Sequence, residues 1–456
     1  MSGLETLSTY NSLYLNVDVA IPLYEDMTED QLKIRLPISL GLARQIIDNS
    51  ADSLFGENKL LGIQMLGLGG QPDETLQAFW DKFFLSNHVR SKLISNALTS
   101  FVEGGLFYII EHHPTAGDLA PVFLLHPLTY TYLWDIQTAD DTTQTPLLYV
   151  FQWEEIIQEN NQDRYCWRRL EIDNMQFRRY KEASTRATSN DGDRTEMDLL
   201  SAVDHSCGVI PVVHVRHNQQ TDSLLGISEI EPLLPMLNAI NQMISDAYWQ
   251  AYNDQSIIKV YNVKPPDDDD DPSTNSKVRL GGDQIHFMSE TEQSKQDIQR
   301  LEPAGIPQSF FKTLEMLIDH VYRAANELSL DPTQWTSTNI SGKALKLLYT
   351  PVTRKAHRNR IAWNLAFEDL AKLLFRIANS HGVVLSPQPD NKYILGGPEY
   401  TLGSVNVQWG EVIASDEKDD QEIILADLEA GLITIETAQR LRGLDPETNI
   451  GSDKTP

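Results

Sequence analysis

The chain has 456 residues, 41% of them hydrophobic, and carries a formal net charge of -28 at pH 7. That hydrophobic fraction is sufficient for folded cores, so disorder is not expected, and the length predicts about three domains. The acidic balance argues against long-range attraction to nucleic acid or to an anionic membrane as the main binding force. An acidic protein can still handle DNA that must slide without sticking.

The cysteine count and the hydropathy pattern argue against a disulfide-rich, a cysteine-metal or a membrane-spanning protein. Cys166 and Cys207 are the only cysteines, too few for a disulfide framework and without the spacing of a metal site. No window approaches about 18 consecutive apolar residues, the length that a membrane-spanning helix needs. We therefore expect two inert thiols and no membrane partner.

The first part of the chain is predicted to be mostly helical. Residues 1–36 are expected to be irregular. Apolar residues at helical spacing predict a helix over 38–55 that ends at Gly56. A strand over 60–68 follows, and its glycine-rich tail lacks the lysine of a phosphate-binding loop. A second helical region is predicted over 73–103, with an interruption near Ser86.

Beyond Pro114 the pattern changes to short strands at close intervals. Turn residues between them indicate an antiparallel meander, so this half is predicted to be α+β with its helices ahead of its strands. His214 and His217 lie three apart in the last strand, where they point to opposite faces, which argues against a shared metal ion. The predicted strands cover 106–111, 122–125, 147–153, 165–172, 176–180 and 209–215.

Two amphipathic helices and the insert between them organise the chain. The first helix is predicted over 227–252, with Ser228 and Glu231 spaced as a capping box. The second begins at Pro307, a residue suited to the first helical position, and runs to Leu328. Apolar residues recur at steps of three and four in both, so each has one stripe to be buried. Together they predict a protruding hairpin.

The insert and the segment after the hairpin leave alternatives open. Asp267 to Asp271 lack the alternating pattern and glycine of a calcium-binding loop, which favours a solvated loop over a cation or partner site. Trp335, the one aromatic residue in 329–342, is either a buried anchor or a tip that touches a partner or nucleic acid. The insert is predicted to contain strands over 257–263, 278–280 and 285–288.

A local inversion of charge follows. Residues 341–360 contain no acidic side chain, so their basic residues either pair with acids of this or a neighbouring copy or contact phosphates. Pro351 is expected to bend a helix that continues to Ser380. Strands are predicted over 383–409 and a helix pair over 416–442. The basic residues are Lys343, Lys346, Arg354, Lys355, Arg358 and Arg360.

Five short pieces of the chain form a recognisable series. Three lie around the start of the hairpin, one at the start of the basic segment, and one near the carboxyl end. They are Gly208-Val-Ile-Pro-Val-Val-His214, Leu225-Gly-Ile-Ser228-Glu-Ile, Leu237-Asn-Ala-Ile-Asn241, Ile340-Ser-Gly-Lys-Ala-Leu345 and Ala430-Gly-Leu-Ile-Thr-Ile-Glu-Thr-Ala438. In this order they resemble portal proteins of tailed double-stranded-DNA bacteriophages, the ring-shaped head-to-tail connectors.

The resemblance implies a division of the chain into named parts. Residues 1–226 and 343–413 would form the α/β wing. Residues 227–252 and 306–328 would be the two stem helices, joined by a small α/β clip over 253–305. Residues 329–342 would be the tunnel loop, and 414–456 a helical crown.

The resemblance also implies a function and a set of contacts. A ring, usually of twelve copies, would form the channel for genome packaging and ejection at one capsid vertex of the virion. Its partners would be double-stranded DNA, terminase, the head–tail connector or adaptor, and the major capsid and scaffolding proteins. The chain would be made in the host cytoplasm, with no cofactor, no metal and no enzymatic activity.

Candidate residues follow from this assignment. A helix hairpin with one apolar stripe can bury it against the next copy in a closed ring, and an acidic lumen would keep DNA from adhering. DNA contact is expected at Trp335, Asn339, Lys343 and Lys346. Packing between stem copies is expected at Leu237, Ile240, Ile244, Phe310, Leu314, Leu317 and Val321.

Two other classes remain open from the sequence. The chain is alternatively a soluble adaptor that binds protein partners without forming a ring. A metal-dependent nuclease that uses Asp267 to Asp271 is disfavoured, because no carboxylate and histidine constellation lies on regular structure and no phosphate loop is present.

Overall fold

The computed structural model describes residues 3–17, 37–57, 59–113, 122–139, 145–159, 162–186, 197–220, 223–253, 257–261, 284–288, 297–301, 305–328, 347–386, 392–412 and 428. These residues form a mixed fold of helices and sheets, as the sequence predicted. The helices are α1 (Gly3–Leu15), α2 (Leu42–Phe55), α3 (Glu74–Ser86), α4 (Val89–Glu103), α5 (Leu234–Asn253), α6 (Gln308–Ala324) and α7 (Thr350–Ser380).

Fifteen strands lie between and after these helices within the described ranges. The strands are β1 (Leu60–Leu66), β2 (Gly105–His112), β3 (Phe123–Thr129), β4 (Leu133–Thr138), β5 (Pro146–Glu159), β6 (Gln162–Ile172), β7 (Gln176–Glu182), β8 (Met197–Asp204), β9 (Val212–Arg216), β10 (Ile257–Tyr261), β11 (Gln284–Met288), β12 (Asp297–Leu301), β13 (Val383–Leu385), β14 (Tyr393–Leu395) and β15 (Ser404–Trp409).

The first helix corrects a prediction. Residues 1–36 were expected to be irregular, but α1 is helical. Tyr10 and Leu13, three residues apart, are buried in the main core, and Leu7 and Tyr14 pack against it. Spacings of three and four put these four side chains on one helical face. The stripe is short and flanked by polar residues, which is why its period is weak in the sequence.

The predicted antiparallel meander is confirmed in part: the predicted strands at 147–153, 165–172 and 176–180 belong to it, whereas those at 122–125 and 209–215 lie in a second sheet. β4 to β8 form one five-stranded sheet in sequence order, and every neighbouring pair is antiparallel. The sequence missed β4 and β8, which are the two edge strands. A second sheet places β2 between β3 and β9. Phe107 of β2 lies in the smaller core, against Phe151 of the meander, which joins the two sheets.

The main core forms around α7, a helix of 31 residues. Trp363 and Phe367 are buried on its inner face, where Phe55 at the end of α2 meets the Trp363 ring edge to face. Aromatic pairs of this geometry add about 0.5–1.5 kcal/mol beyond the area they bury. Pro351 lies in the first turn of α7, where its missing N–H costs nothing, and not at a bend inside the helix.

Candidate functional site

The helices α5 and α6 form a hairpin whose two ends are fixed differently. At one end, β10 follows α5 and pairs antiparallel with β12, which precedes α6, so that Ile257 lies opposite Leu301. At the other end, the Lys355 ammonium lies 3.2 Å from Glu229, just before α5, and 2.9 Å from Glu327, just after α6. The two helices also contact each other. The predicted hairpin is therefore present, with a sheet at its tip and a charged cluster at its base.

Close backbone packing fixes the entry to α5. A Cβ at Gly226 would lie 2.1 Å from the carbonyl oxygen of Gly104 and 2.3 Å from that of His217, so only glycine fits. The Ser228 hydroxyl accepts a hydrogen bond from the Ile230 N–H, as expected of a capping residue. Glu231 does not complete the predicted capping box, because its carboxylate accepts a hydrogen bond from the Tyr10 hydroxyl instead.

Four ionisable side chains are buried together at the base of the hairpin: His217, Glu229, Glu327 and Lys355, here called the junction cluster. Each is between 5% and 8% exposed. His217 Nε2 lies 3.5 Å from a Glu229 oxygen, and the Ser50 hydroxyl donates to the other oxygen at 2.8 Å. The cluster thus joins α2 and α7 to both chain segments at the base of the hairpin, the one that enters α5 and the one that leaves α6. A buried charge of this kind is retained only when it is paired and hydrogen-bonded.

The cluster holds two carboxyl groups and one ammonium, and its protonation follows from burial. Burial lowers the pKa of His217 to about 4, against the opposing attraction of Glu229, so the imidazole is neutral at pH 7. Burial also raises the pKa of Glu327, although the Lys355 ammonium opposes that change. Lys355 is therefore the cation that both carboxyl groups share, and removing it leaves them unpaired in a buried site.

Between the end of α6 and Glu327 of this cluster, the backbone turns at Asn326. Asn326 adopts the left-handed conformation, with φ 55°, and the Glu327 N–H donates to the Tyr322 carbonyl at 2.8 Å. This pattern resembles a helix C-terminal cap made by asparagine. The Glu327–Lys355 contact thus fixes the chain two residues before the predicted tunnel loop, which lies outside the described residues.

The predicted stem residues fall into two groups. Leu237, Ile240 and Val321 are buried in the chain's own core and fasten the hairpin to the rest of the fold. Ile244, Leu314 and Leu317 are half-buried and pack against that core, and Phe310 is half-buried near the tip. Residues 329–346 lie outside the described ranges. So do the DNA-contact candidates Trp335, Asn339, Lys343 and Lys346, the aspartate run Asp267 to Asp271, and most of the predicted crown.

The described basic residues of the segment 341–360 are also of two kinds, buried and exposed. Lys355 and Arg360 are buried and bonded within the chain, Lys355 in the junction cluster and Arg360 to the Gly410 carbonyl at 2.8 Å. Arg354 and Arg358 are exposed on α7. The alternative of pairing with acids of this chain is therefore correct for Lys355. Sequence reasoning placed Lys355 in a basic run and missed that it lies on the same helical face as Trp363, two turns later.

His214 and His217 are packed inside the fold. His214 shares a hydrogen bond of 2.7 Å with the Tyr130 hydroxyl and stacks on Phe107. His217 packs against the edge of Phe101. Among the described residues, no group of three or more histidine, cysteine, aspartate or glutamate side chains is arranged to hold a metal ion. Within the same residues, no helix combines the length and the apolar character that a membrane crossing requires.

Comparison with solved structures returns chains from phage-like particles. A chain from the neck of an empty gene transfer agent particle, computed with C6 symmetry, is 11% identical, with 96% of this chain and 100% of that chain covered and a TM-score of 0.46. A chain from the virion of a native gene transfer agent particle is 10% identical, with 96% and 99% covered and a TM-score of 0.44. A chain from a native particle neck with C12 symmetry is 12% identical, with 92% and 94% covered and a TM-score of 0.44.

Comparison by sequence gives the assignment. No curated protein matches the chain significantly. The family model for the phage portal protein, SPP1 Gp6-like, matches residues 135–441. That match covers about two thirds of the chain and includes the meander, the hairpin, the junction cluster and α7. The chain belongs to the SPP1 Gp6-like family of phage portal proteins.

Proposed function

We propose that copies of this chain close into a ring, of twelve as the family resemblance implies, at one vertex of a phage capsid, and that double-stranded DNA passes through the ring during packaging and ejection. The observation that carries this proposal is the hairpin, rooted at Lys355, in a chain of the portal family. The protein acts as a channel and a docking platform for terminase, the head–tail connector, and the capsid and scaffolding proteins. It is not an enzyme.

Exposed apolar residues on the hairpin support contact between copies. Phe311 and Met316 of α6 are 46% and 54% exposed, and Tyr248 of α5 is 45% exposed. Five residues correspond to about 140° around a helix, so Phe311 and Met316 lie on different flanks of α6. A ring with head-to-tail contacts uses two different surfaces of each copy, one for each neighbour. Apolar residues on both flanks fit that requirement.

The half-buried stripe residues extend the proposed contact. Ile244, Phe310, Leu314 and Leu317 are half-buried and retain exposed area, and the Phe310 ring contacts that of Phe311. Leu237, Ile240 and Val321 hold the hairpin to the wing and support the contact from inside. DNA contact is proposed at Trp335, Asn339, Lys343 and Lys346. The large negative charge of the chain disfavours tight adhesion of DNA elsewhere in the channel.

Particles assembled with stem variants test the proposal. Phe311→Ser with Met316→Ser removes apolar area on both flanks, whereas Leu85→Ser, at a residue 77% exposed on α3, is the matched control. We expect the double variant to fold but to lose ring assembly and DNA-filled particles, and the control to retain both. Particles that lack the chain altogether and still contain a full genome would overturn the proposal.

A further inference from the structure

A basic groove of about 540 Å³ lies beside the first turns of α7. One wall is α7, from which Thr353, Arg354 and His357 face the groove. The other wall is the chain that follows β15. Arg354 and His357 are exposed. No ion pair to either is present within the described part of the chain, which leaves the Arg354 charge and the hydrogen-bonding capacity of both side chains available to a partner. The full lining is Thr350, Thr353, Arg354, His357, Arg360, Trp409, Gly410, Glu411 and Val412.

Arg360 makes the floor of the groove cationic. It is only 6% exposed, its guanidinium lies 5.1 Å from the centre of the Trp409 ring, and one of its amino groups donates to the Gly410 carbonyl. Its Nε has no hydrogen-bond partner among the described residues. Lys59 lies close enough that burial and the Arg360 charge lower the pKa of its ammonium. An anionic partner would relieve this concentration of positive charge.

In the sequence, an acidic segment follows the wall of this groove. Lys59 Nζ donates to the carbonyls of Glu411 and Val412, each at 2.8 Å, which fixes the point at which the chain leaves the described wall. Within the ten residues that follow Val412 there is one lysine, Lys418, and there are five acids: Asp416, Glu417, Asp419, Asp420 and Glu422.

We propose that residues 413–422 dock in this groove, with their carboxylates paired to Arg354 and His357. Asp416 follows Val412 by four residues, a span of up to about 14 Å when extended, which is sufficient to return along the first turns of α7. The tether also raises the effective concentration of these carboxylates to about the millimolar range or above, so they outcompete anions free in solution. The contact fastens the start of the crown to the long helix of the same copy.

A DNA phosphate is the competing occupant of the groove. Glu411 on the groove wall disfavours any anion equally, so it is the covalent tether that favours the acidic segment over a duplex. The carboxylates that follow Glu411 are attached to that wall, whereas a duplex would have to displace them. Binding of a duplex is therefore an outcome that the experiment must be able to detect.

Paired cysteines introduced into the full-length chain test the docking. The native Cys166 and Cys207 are both buried, so they do not compete with the introduced pair for oxidation. The test pair is His357→Cys with Asp416→Cys. The matched control is Leu365→Cys with Asp416→Cys, since Leu365 is exposed on the same helix, about 12 Å further along. We expect oxidation to give a disulfide within one copy in the test pair, at least tenfold more than in the control. Equal cross-linking in both pairs, none in either, or links only between copies would overturn the proposal.

Proteolysis supplies a readout that depends on charge. Trypsin cleavage after Lys418 is expected to be at least fivefold faster in Arg354→Glu with His357→Glu than in wild type, and to be unchanged in the control Arg90→Glu on α4. Duplex binding by the same proteins is measured beside it. If the double variant loses binding to a 30-base-pair duplex while cleavage after Lys418 is unchanged, the groove binds DNA and the proposal is wrong.

Discussion

Replacing Lys355 by methionine tests the physical argument for the junction cluster. The methionine side chain fills a similar volume without the ammonium, so the change leaves the Glu229 and Glu327 carboxyl groups buried and unpaired. Breaking a buried ion pair by removing one partner typically costs about 3–5 kcal/mol. The chain can limit that cost by protonating a carboxyl group, which for an ordinary pKa of about 4.3 costs about 3.7 kcal/mol at pH 7. We therefore expect the free energy of unfolding to fall by about 3–4 kcal/mol at pH 7.

The same reasoning fixes how the loss depends on pH. An unpaired, buried carboxyl group has a folded-state pKa well above its unfolded value, so its penalty diminishes as pH falls through the folded pKa. Between pH 7 and pH 5.5 the difference from wild type is expected to shrink by about 2 kcal/mol, since one pH unit is worth about 1.36 kcal/mol for one proton.

Urea unfolding followed by circular dichroism measures both quantities. The control is Lys372→Met on the same helix, because Lys372 is 53% exposed in a surface pair with Glu368, and such pairs contribute about 0–1 kcal/mol. Adding Glu229→Gln and Glu327→Gln to Lys355→Met should recover most of the lost stability, because no buried charge then remains unpaired. A loss for Lys355→Met no larger than for Lys372→Met would refute the reasoning.

Three further outcomes are expected. The pKa of His217 is about 4 in the folded chain and about 6.5 when unfolded, so the unfolded state binds more protons between these pH values. The free energy of unfolding therefore falls by about 2 kcal/mol from pH 7 to pH 5. His217→Gln should flatten that part of the plot of urea midpoint against pH. Gly226→Ala should lower the thermal midpoint of unfolding by several degrees, because its Cβ would overlap the Gly104 and His217 carbonyls; an unchanged midpoint would contradict the packing described. Charge reversal at Lys343 and Lys346 should reduce packaged DNA, measured per particle, more than it reduces ring formation, and normal packaging would count against direct DNA contact.

The sequence predicted the elements whose apolar residues recur with a clear period. Both hairpin helices, the helix pair over 73–103 and the three inner strands of the meander were found, but α5 begins at Leu234 and not at 227, and β5 continues to Glu159 and not to 153. The two missed strands, β4 and β8, are the edges of that sheet. Most of β8 is exposed, so no alternation of apolar residues marks it. An edge strand is specified by its neighbour as much as by its own sequence.

The junction cluster could not be predicted from local sequence patterns, because its members are far apart in the chain. Glu229 and Ser50 are 179 residues apart in the chain, and Lys355 and Glu327 are 28 apart. The only local signals were a lysine on an apolar helical face and a glutamate within the motif that resembled portal proteins. The physical meaning of that motif became clear only in the fold, where Gly226 allows a close backbone contact, Ser228 caps and Glu229 pairs with Lys355.

The mass of the purified, full-length chain in native mass spectrometry tests the central claim most directly, because the proposed channel exists only if copies close into a ring. The account predicts one closed species near twelve times the 51.6 kDa of a single copy, which the Phe311→Ser and Met316→Ser double variant converts to folded single copies. A wild-type chain that stays folded as a single 51.6 kDa copy at high concentration would contradict the account.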